Sequence, residues 1–388
     1  MMAESRPRAL SVFSGLGGLD LGARIAGLSV AVATDQDGGA LSLLNSVSGS
    51  ATLDADIERA LEGPLVQLWA DRGTPAFLVG GPPCTAFSHA GFWLEAKRDG
   101  SDPAAALLTR YLQCLAIFRP RAFVLENVPG LAFKTHAAAM TALLRGARDL
   151  GYQVSWEILR ASDFGVPQAR RRLFVVGVLE RSPVDLKSWP EWPERSSGWA
   201  IADLEEDGPP EPDELPSLKY RNLLEAIPAG SNYLHFAKPD GSGPGMFRYR
   251  GRYWSFLLKL DPNKPSPTVS AQRISNNGPF HWTSRHLRIR EIARLQSFPD
   301  WYPLSPHLPT ARRHLGNAVP PLLAAAVIWR VRQAQEGLPS SDWPLALQVA
   351  ADPSSTFANI ADAYPSTIAD SIHVTADSSI SGSVEVPA

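Results

Sequence analysis

The sequence is poor in cysteine, with only Cys84 and Cys114 among its 388 residues. Two cysteines cannot form a disulfide framework or a cysteine-rich zinc site, and we predict no metal site. Long apolar runs are also missing, because the longest one, residues 318–329, is too short to span a bilayer and contains two prolines. The N-terminal residues lack the apolar region of a secretory signal. These absences predict a soluble cytoplasmic protein without a membrane partner.

Basic residues are absent after Arg332, whereas seven acidic residues follow it. The formal net charge of −2 is therefore an average over unlike segments. Residues 1–332 hold all 37 basic residues and 32 acidic ones, a net charge of +5. Within them, residues 185–214 carry ten acidic and two basic residues, and residues 219–290 carry twelve basic and three acidic ones. A local positive field of the second kind attracts phosphate groups.

Short apolar runs alternate with helical segments in the first half of the chain. We predict buried strands over residues 9–13, 28–33, 76–80, 122–128 and 172–179. Helices are predicted around residues 41–44, 102–118 and 137–150. This alternation indicates an α/β fold with a parallel, doubly wound sheet, in which ligands bind beyond the carboxyl ends of the strands.

The composition changes near residue 182, where the strand pattern ends. Residues 182–306 are rich in loops and predict a second, smaller module. An apolar helix over about 315–335 is expected to pack back on the first domain, which then consists of residues 1–181 and 307–335. The acidic residues 336–388, rich in Ser, Ala, Asp and Thr, are predicted to be a disordered tail. Removing the residues after 336 should then leave the activity intact.

Glycines follow the first predicted strand, in the segment Phe-Ser-Gly-Leu-Gly-Gly at residues 13–18. Glycines in such a turn let a ligand approach the backbone at a helix N-terminus. The dinucleotide pattern G-x-G-x-x-G fails, because Asp20 stands three positions after Gly17. Asp35 ends the next strand, where an acid can bind the hydroxyl groups of a ribose. The segment favours a nucleoside-like cofactor, with an ordinary strand-to-helix turn as the alternative.

Reactive side chains follow later strands. Cys84 comes after two prolines at one strand end, and Glu126 stands at the end of the next strand. A cysteine and a carboxylic acid at neighbouring strand ends can act as nucleophile and general acid; a buried structural cysteine and a turn-starting acid are the alternatives. Cys114, inside a predicted helix, fits the structural role. Arg170 and Arg172 fall on one face of a strand, either beside the thiol or in solvent.

Six motifs, in this order, resemble the DNA (cytosine-5) methyltransferases of bacterial restriction-modification systems. They are residues 13–18, Pro83-Cys84 with Phe87-Ser88, residues 126–128, Gln168-x-Arg170-x-Arg172, residues 290–299 and residues 316–321. The resemblance covers about residues 9–335. The sequence departs from the family at Thr85, where a glutamine usually follows the cysteine, and at Gln36, where an aromatic residue often stacks on adenine.

The resemblance implies a Rossmann-like methyltransferase domain that uses S-adenosylmethionine, with residues 182–306 as a DNA-recognition domain. Cys84 would attack C6 of a cytosine flipped out of duplex DNA, and Glu126 would protonate N3. Arg172 would bind the cytosine O2, and Arg170 would orient Glu126 or the thiolate. The implied cofactor-binding residues are Phe13, Gly15, Gly17, Gly18, Asp35, Asp56, Ile57, Gly81, Leu107 and Asn317.

Contacts to DNA are expected from two regions. Ser88 begins a segment, residues 88–101, that is expected to close over the flipped base. The stretch 248–254 interleaves cations with aromatic rings, which suits contacts to phosphates and bases. Its alternative is a strand with solvated arginines. The expected DNA-binding residues are Ser88, Arg248, Arg250, Arg252, Tyr253 and Arg273. The last of these is either a phosphate contact or a plain surface residue.

The expected partners are double-stranded DNA and a cognate restriction endonuclease that acts separately on the same site. The first motif begins by residue 13, which suits a stand-alone, monomeric bacterial or phage enzyme that protects host DNA. Three alternatives remain at this point: a tRNA cytosine-5 methyltransferase, a catalytically silent DNA-binding relative, and a nicotinamide-dependent oxidoreductase. The failed glycine pattern disfavours the last.

Overall fold

A seven-stranded sheet forms the centre of this computed structural model, which describes residues 6–83, 103–206, 208, 214–236, 254–272 and 276–365, with the backbone alone for 103–105 and 206. The strands are β1 (Arg8–Val12), β2 (Ser29–Asp35), β3 (Ala51–Asp54), β4 (Phe77–Gly80), β5 (Ala122–Asn127), β6 (Gln153–Arg160) and β7 (Arg171–Val178). Their order across the sheet is β3-β2-β1-β4-β5-β7-β6. The five strands from β3 to β5 run parallel, whereas β7 is antiparallel to both β5 and β6.

The predicted α/β fold and the five predicted strands are confirmed, but the sheet is mixed rather than wholly parallel. Only a single 3-10 turn, Ala161–Phe164, lies between β6 and β7. A connection without a crossover helix joins antiparallel neighbours, which explains the reversal of β7. The sequence did not predict β3 and β6. The first has four residues and the second is a half-exposed edge strand, so neither contains a buried apolar run.

Helices cover both faces of the sheet. They are α1 (Gly18–Ile25), α2 (Gly38–Ser48), α3 (Ile57–Leu61), α4 (Pro64–Trp69), α5 (Pro103–Phe118), α6 (Ala137–Asp149), α7 (Ser197–Ile201), α8 (Arg221–Ala226), α9 (Ile289–Leu295), α10 (Leu308–Asn317), α11 (Pro321–Glu336), α12 (Leu345–Ala351) and α13 (Phe357–Asp362). Apolar residues of α1, α2 and α11 form one core layer, and those of α3 to α6 form the other. Ala9 and Leu10, neighbours in β1, belong to opposite layers, as strand alternation requires. None of these helices is both long and apolar enough to cross a membrane.

Between β7 and α10, the described residues contain three short α-helices, three 3-10 helices and, in place of strands, isolated β-bridges. Apolar residues near both ends of this segment, such as Trp192 and Ile292, pack into the core layer of α1 and α11. A separate small core consists of Leu224, Ile227, Tyr233, Leu257 and Phe280. Among the described residues, the independently packed part is therefore narrower than the predicted module of residues 182–306.

The prediction of a disordered tail is wrong for residues 336–365, because this segment contains α12 and α13. Buried residues of these helices, including Leu347 and Phe357, join the core layer of α1 and α11. The indole nitrogens of Trp192 and Trp199 donate hydrogen bonds to the carbonyls of Leu347 and Ser355. The few apolar residues of this segment are enough to fold it onto the domain, because tryptophans distant in sequence supply their packing partners. The average composition of residues 336–388 does not reveal these partners. Residues 366–388 lie outside the described chain.

Candidate active site

One cavity of about 580 Å³ opens at the carboxyl ends of β1, β2, β4 and β5. Its position is the one expected for a ligand site in a doubly wound sheet. Residues from five of the six sequence motifs line it. They are Phe13, Gly15 and Gly18 of the first motif, Pro83 of the second, Glu126 of the third, Arg172 of the fourth and, from the last, Asn317. The cavity therefore brings residues distant in sequence to one place.

Glu126 and Arg172 form a nearly buried ion pair in this cavity, with Arg172 Nε 2.8 Å from Glu126 Oε1. The antiparallel register pairs Asn127 of β5 with Leu173 of β7. The first residues of β7 therefore reach the carboxyl end of β5, and the acid and the guanidinium meet there. The reversed direction of β7 thus builds this part of the site.

The environment of Glu126 favours its protonated form. Burial raises the pKa of Glu126 above the ordinary value, while the charges of Arg172 and Arg170 offset part of that shift. Gly81 keeps the space beside the carboxyl open, because a Cβ there would lie 3.1 Å from Glu126 Oε2. A raised pKa makes a carboxyl group better suited to holding and donating a proton.

Arg170 stands two residues before Arg172, but its side chain contacts different groups. Its side chain is fully buried and donates hydrogen bonds to the carbonyls of Val269 (3.3 Å) and Gly316 (2.6 Å). It therefore links the start of β7 to the segment that carries Asn317, and acts on Glu126 through its charge. The predicted orientation of Glu126 by Arg170 stays a prediction.

The chain that leads to Cys84 enters the same cavity. Pro82 and Pro83 line it, and the side-chain amide of Asn127 donates a hydrogen bond of 3.0 Å to the Pro82 carbonyl. Cys84 and its neighbour Thr85 lie outside the described residues. The predicted DNA-binding residues also do, namely Ser88, Arg248, Arg250, Arg252, Tyr253 and Arg273.

Cys114 has the structural role predicted for it. It lies in α5 with no exposed surface, and burial raises the pKa of its thiol to about 12. A thiol with that pKa is protonated at neutral pH and is a poor nucleophile.

The carboxylate of Asp35, at the end of β2, is hydrogen-bonded to the glycine-rich turn of residues 13–18. Asp35 Oδ2 accepts a 2.8 Å hydrogen bond from the Gly15 backbone N–H, and Oδ1 accepts one from Asp37 N, also at 2.8 Å. Burial raises the pKa of Asp35, against the lowering effect of these two bonds. Asp35 and Gln36 line both the main cavity and a smaller one of about 40 Å³. Asp56, Ile57 and Leu107 line the smaller cavity.

Nine of the ten predicted cofactor residues thus line one of the two cavities, and Gly17 is the exception. Gly17 serves packing instead, because a Cβ on it would lie 2.5 Å from Leu44 Cδ1 and 2.7 Å from the Tyr302 hydroxyl. Gly18 faces the cavity but is also packed tightly, since a Cβ there would lie 2.1 Å from the Val319 carbonyl oxygen. Close packing therefore requires glycine at these two positions of the turn.

Sequence reasoning missed three polar residues that line the main cavity: Asp37, Arg313 and His314. Asp37 Oδ2 lies 2.5 Å from Arg313 Nη1 and 3.2 Å from His314 Nε2, so this cluster ties the end of β2 to α10. Asp37 also caps α2, accepting a 3.1 Å hydrogen bond from Ala40 N. An aspartate directly before a helical run is a recognisable N-cap signal, whereas nothing in the sequence shows that α10 lies opposite.

No group of three or more His, Cys, Asp or Glu side chains in the described part of the chain could hold a metal ion. The fit of a nucleoside cofactor rests instead on the cavity's own residues. Asp35 stands at the strand end where ribose hydroxyls are bound, the glycine turn leaves the backbone open to a ligand, and Phe13 and Ile57 offer apolar surface.

Comparison with known proteins agrees with this geometry. The model of the C-5 cytosine-specific DNA methylase family matches residues 8–333. The chain is similar to the type II methyltransferase M.SacI of Streptomyces achromogenes, at 36% identity over 82% of this chain and 91% of that protein. It is also similar to the type II methyltransferase M.NgoFVII of Neisseria gonorrhoeae, at 29% identity over 82% of this chain and 84% of that protein.

A solved structure confirms the fold. The S. pombe Dnmt2 methyltransferase superposes with a TM-score of 0.57 at 17% identity, covering 84% of this chain and 99% of that one. The family match spans most of the chain and includes the motifs that line the cavity. The chain therefore belongs to the C-5 cytosine-specific DNA methylase family and is a DNA (cytosine-5) methyltransferase.

Proposed function

We propose that the protein transfers a methyl group from S-adenosylmethionine to C5 of a cytosine flipped out of a specific duplex DNA sequence. The observation that carries the proposal is the buried pair of Glu126 and Arg172 in the cavity that Pro83, the residue before Cys84, also lines. Cys84 attacks C6 of the base, and the covalent adduct makes C5 nucleophilic. The sulfonium of the cofactor supplies the electrophilic methyl group.

Glu126 and Arg172 act on the pyrimidine ring. Glu126 donates its proton to N3 while the thiolate adds to C6, so negative charge does not build up on the ring. The raised pKa of Glu126 supports this role, because burial shifts the carboxyl toward its protonated form. Arg172 holds the cytosine O2 and fixes Glu126 through the 2.8 Å contact. Loss of the C5 proton and elimination of Cys84 release 5-methylcytosine.

The two adjoining cavities would hold the cofactor. Asp35 would bind the ribose hydroxyls, Phe13 and Ile57 would enclose the adenine, and Asn317 would hold the methionine end. Asp35 supports this placement because it lines both cavities and its carboxylate is held by the Gly15 and Asp37 backbone. The remaining proposed contacts are Gly15, Gly18, Gly81, Asp56 and Leu107.

DNA recognition is assigned to residues 182–306, because residues 219–290 carry the basic excess of the chain. Ser88, Arg248, Arg250, Arg252, Tyr253 and Arg273 remain the proposed DNA contacts. The protein acts as a cytoplasmic monomer and protects host DNA from a cognate endonuclease. Type II methyltransferases among its relatives support this biological role.

A methyl-transfer assay tests the reaction. The purified protein is incubated with S-adenosylmethionine tritiated on its methyl group, and with either unmethylated bacterial duplex DNA or tRNA. We expect the label in 5-methyldeoxycytidine from DNA, lost in Cys84→Ser and retained in Cys114→Ala. Label in tRNA alone, or on another position of the base, would overturn the proposal.

A further inference from the structure

An acidic side chain lies beneath the cavity and has no role in the chemistry above. Asp20, in the first turn of α1, has no exposed surface. Its Oδ2 accepts a 3.1 Å hydrogen bond from Ser11 Oγ, and its Oδ1 has no hydrogen-bond partner in the described part of the chain. A buried carboxylate with so little compensation is costly to maintain.

Two serine hydroxyls connect Asp20 with the cavity. Ser11 Oγ lies 2.8 Å from Ser14 Oγ, and Ser14 lines the cavity. When Asp20 is ionised, Ser11 donates to it and Ser14 donates to Ser11, so the lone pairs of Ser14 are left for a donor in the cavity. When Asp20 is protonated, its hydroxyl can donate to Ser11 and reverse the chain. The charge of Asp20 therefore determines whether Ser14 offers a hydrogen-bond acceptor or a donor to the cavity.

Three titratable groups surround Asp20: Asp35 of β2, Arg24 of its own helix, and Tyr302. Burial raises the pKa of Asp20 to about 7; the Ser11 hydrogen bond lowers it, Asp35 adds to the rise, and Arg24 opposes it. Burial also raises the pKa of Tyr302, whose hydroxyl donates to the Leu16 carbonyl at 2.5 Å, so this phenol stays neutral. With a pKa of about 7, Asp20 changes charge close to neutral pH.

We propose that Asp20, acting through Ser11 and Ser14, is a positioning residue that makes the cavity favour the positively charged cofactor over its neutral product. The inference rests on the proposed function, in which S-adenosylmethionine carries a sulfonium cation and S-adenosylhomocysteine a neutral thioether. Ionised Asp20 stabilises the sulfonium and has no corresponding attraction for the thioether. The charge of Asp20 therefore increases the affinity for cofactor relative to product.

Charge on Asp20 and cofactor binding are linked. Because the sulfonium favours the ionised form, cofactor binding near pH 7 releases a fraction of a proton from Asp20, and product binding releases less. A unit charge acting over roughly 10 Å, at an effective dielectric constant of about 20, changes an affinity by roughly tenfold. Since Asp20 ionises as the pH rises, the preference for cofactor over product should increase from pH 6 to pH 8.

Calorimetric titration of the full-length protein with each ligand tests this inference. We measure the dissociation constants at pH 6, 7 and 8, and obtain proton release at pH 7 from buffers of different ionisation enthalpy. Asp20→Asn removes the charge at nearly constant shape. Asp163→Asn is the matched control, because Asp163 accepts a hydrogen bond from Ser162 but is exposed and lines neither cavity.

The wild-type protein and Asp163→Asn should show a preference for cofactor that grows about fivefold from pH 6 to pH 8, which is most of the roughly tenfold limit for a group with a pKa of about 7. Asp20→Asn should show a constant ratio and release fewer protons on cofactor binding. Protons exchanged by the cofactor's own amino group are common to all three proteins and cancel in the comparison. If Asp20→Asn does not fold, the wild-type ratio alone decides, since a ratio independent of pH overturns the inference. Failure of the wild-type protein to bind S-adenosylmethionine at all would instead overturn the proposed function.

Discussion

Arg172 and Glu126 lie on antiparallel strands, and their side chains meet with 2.8 Å between Nε and Oε1. If β7 had followed the parallel direction of β1 to β5, its first residues would lie at the opposite edge of the sheet. The reversal of β7 therefore brings the cation to the acid in the cavity that Pro83 also lines. The mixed sheet is thus a condition for the proposed chemistry.

Replacing Glu126 with Gln tests the proton donor. The amide keeps the size of the side chain but cannot donate an acidic proton to N3, so we expect the single-turnover methylation rate to fall by about 10² to 10⁴. Affinity for S-adenosylmethionine, measured by calorimetry, should change little. A variant that methylates DNA at the wild-type rate would remove Glu126 from the mechanism.

Replacing Arg172 with Gln tests the electrostatic coupling of the pair. The Arg172 charge lowers the pKa of Glu126 against the raising effect of burial. Its removal should raise that pKa further, so Glu126 stays protonated to a higher pH. The overall rate should fall, because Arg172 no longer holds the base, and the alkaline decline of the pH–rate profile should move to higher pH. Arg171→Gln, an exposed neighbour in β7, is the control. A decline at unchanged pH in Arg172→Gln would contradict the coupling.

The turn between β1 and α1 depends on close packing at Gly18. A Cβ there would lie 2.1 Å from the Val319 carbonyl oxygen, so we expect Gly18→Ala to lower the free energy of unfolding by about 1–3 kcal/mol. Gly39→Ala is the matched control, since its Cβ would approach only Asp37 Oδ1, at 3.4 Å. In helix α2 that change should be neutral or stabilising. Denaturant unfolding measures both, and equal stabilities of the two variants would speak against the packing argument.

Much of the site follows from the sequence, because its motifs stand at strand ends and parallel strands bring those ends together. Glu126 and Asp35 were placed in this way. The Glu126–Arg172 contact was not, since it depends on the direction of β7, which the residues between β6 and β7 do not encode as a pattern. Arg313 and His314 were missed for a similar reason: their partner Asp37 lies far away in sequence and only the folded chain brings them together.

Truncation tests the corrected view of the C-terminal segment. A chain ending at Glu336 loses α12 and α13 and exposes Trp192, so we expect low solubility and a large fall in the unfolding temperature. A chain ending at Pro365 retains these contacts and should unfold like the full-length protein. Phe357→Ala gives an intermediate case, with a loss of about 3–5 kcal/mol. Full stability and methylation activity in the shorter chain would show that α12 and α13 are dispensable.

Bisulfite sequencing of DNA from cells that express the protein tests the central claim most directly. The host should lack its own cytosine-5 methylation, and cells expressing Cys84→Ser or Cys114→Ala are sequenced in parallel. We predict conversion-resistant cytosines at one position of a single recurring sequence in cells with the wild-type protein and with Cys114→Ala, and none with Cys84→Ser. Complete conversion of cytosine in the wild-type sample, or the same protected sites with Cys84→Ser, would contradict the account.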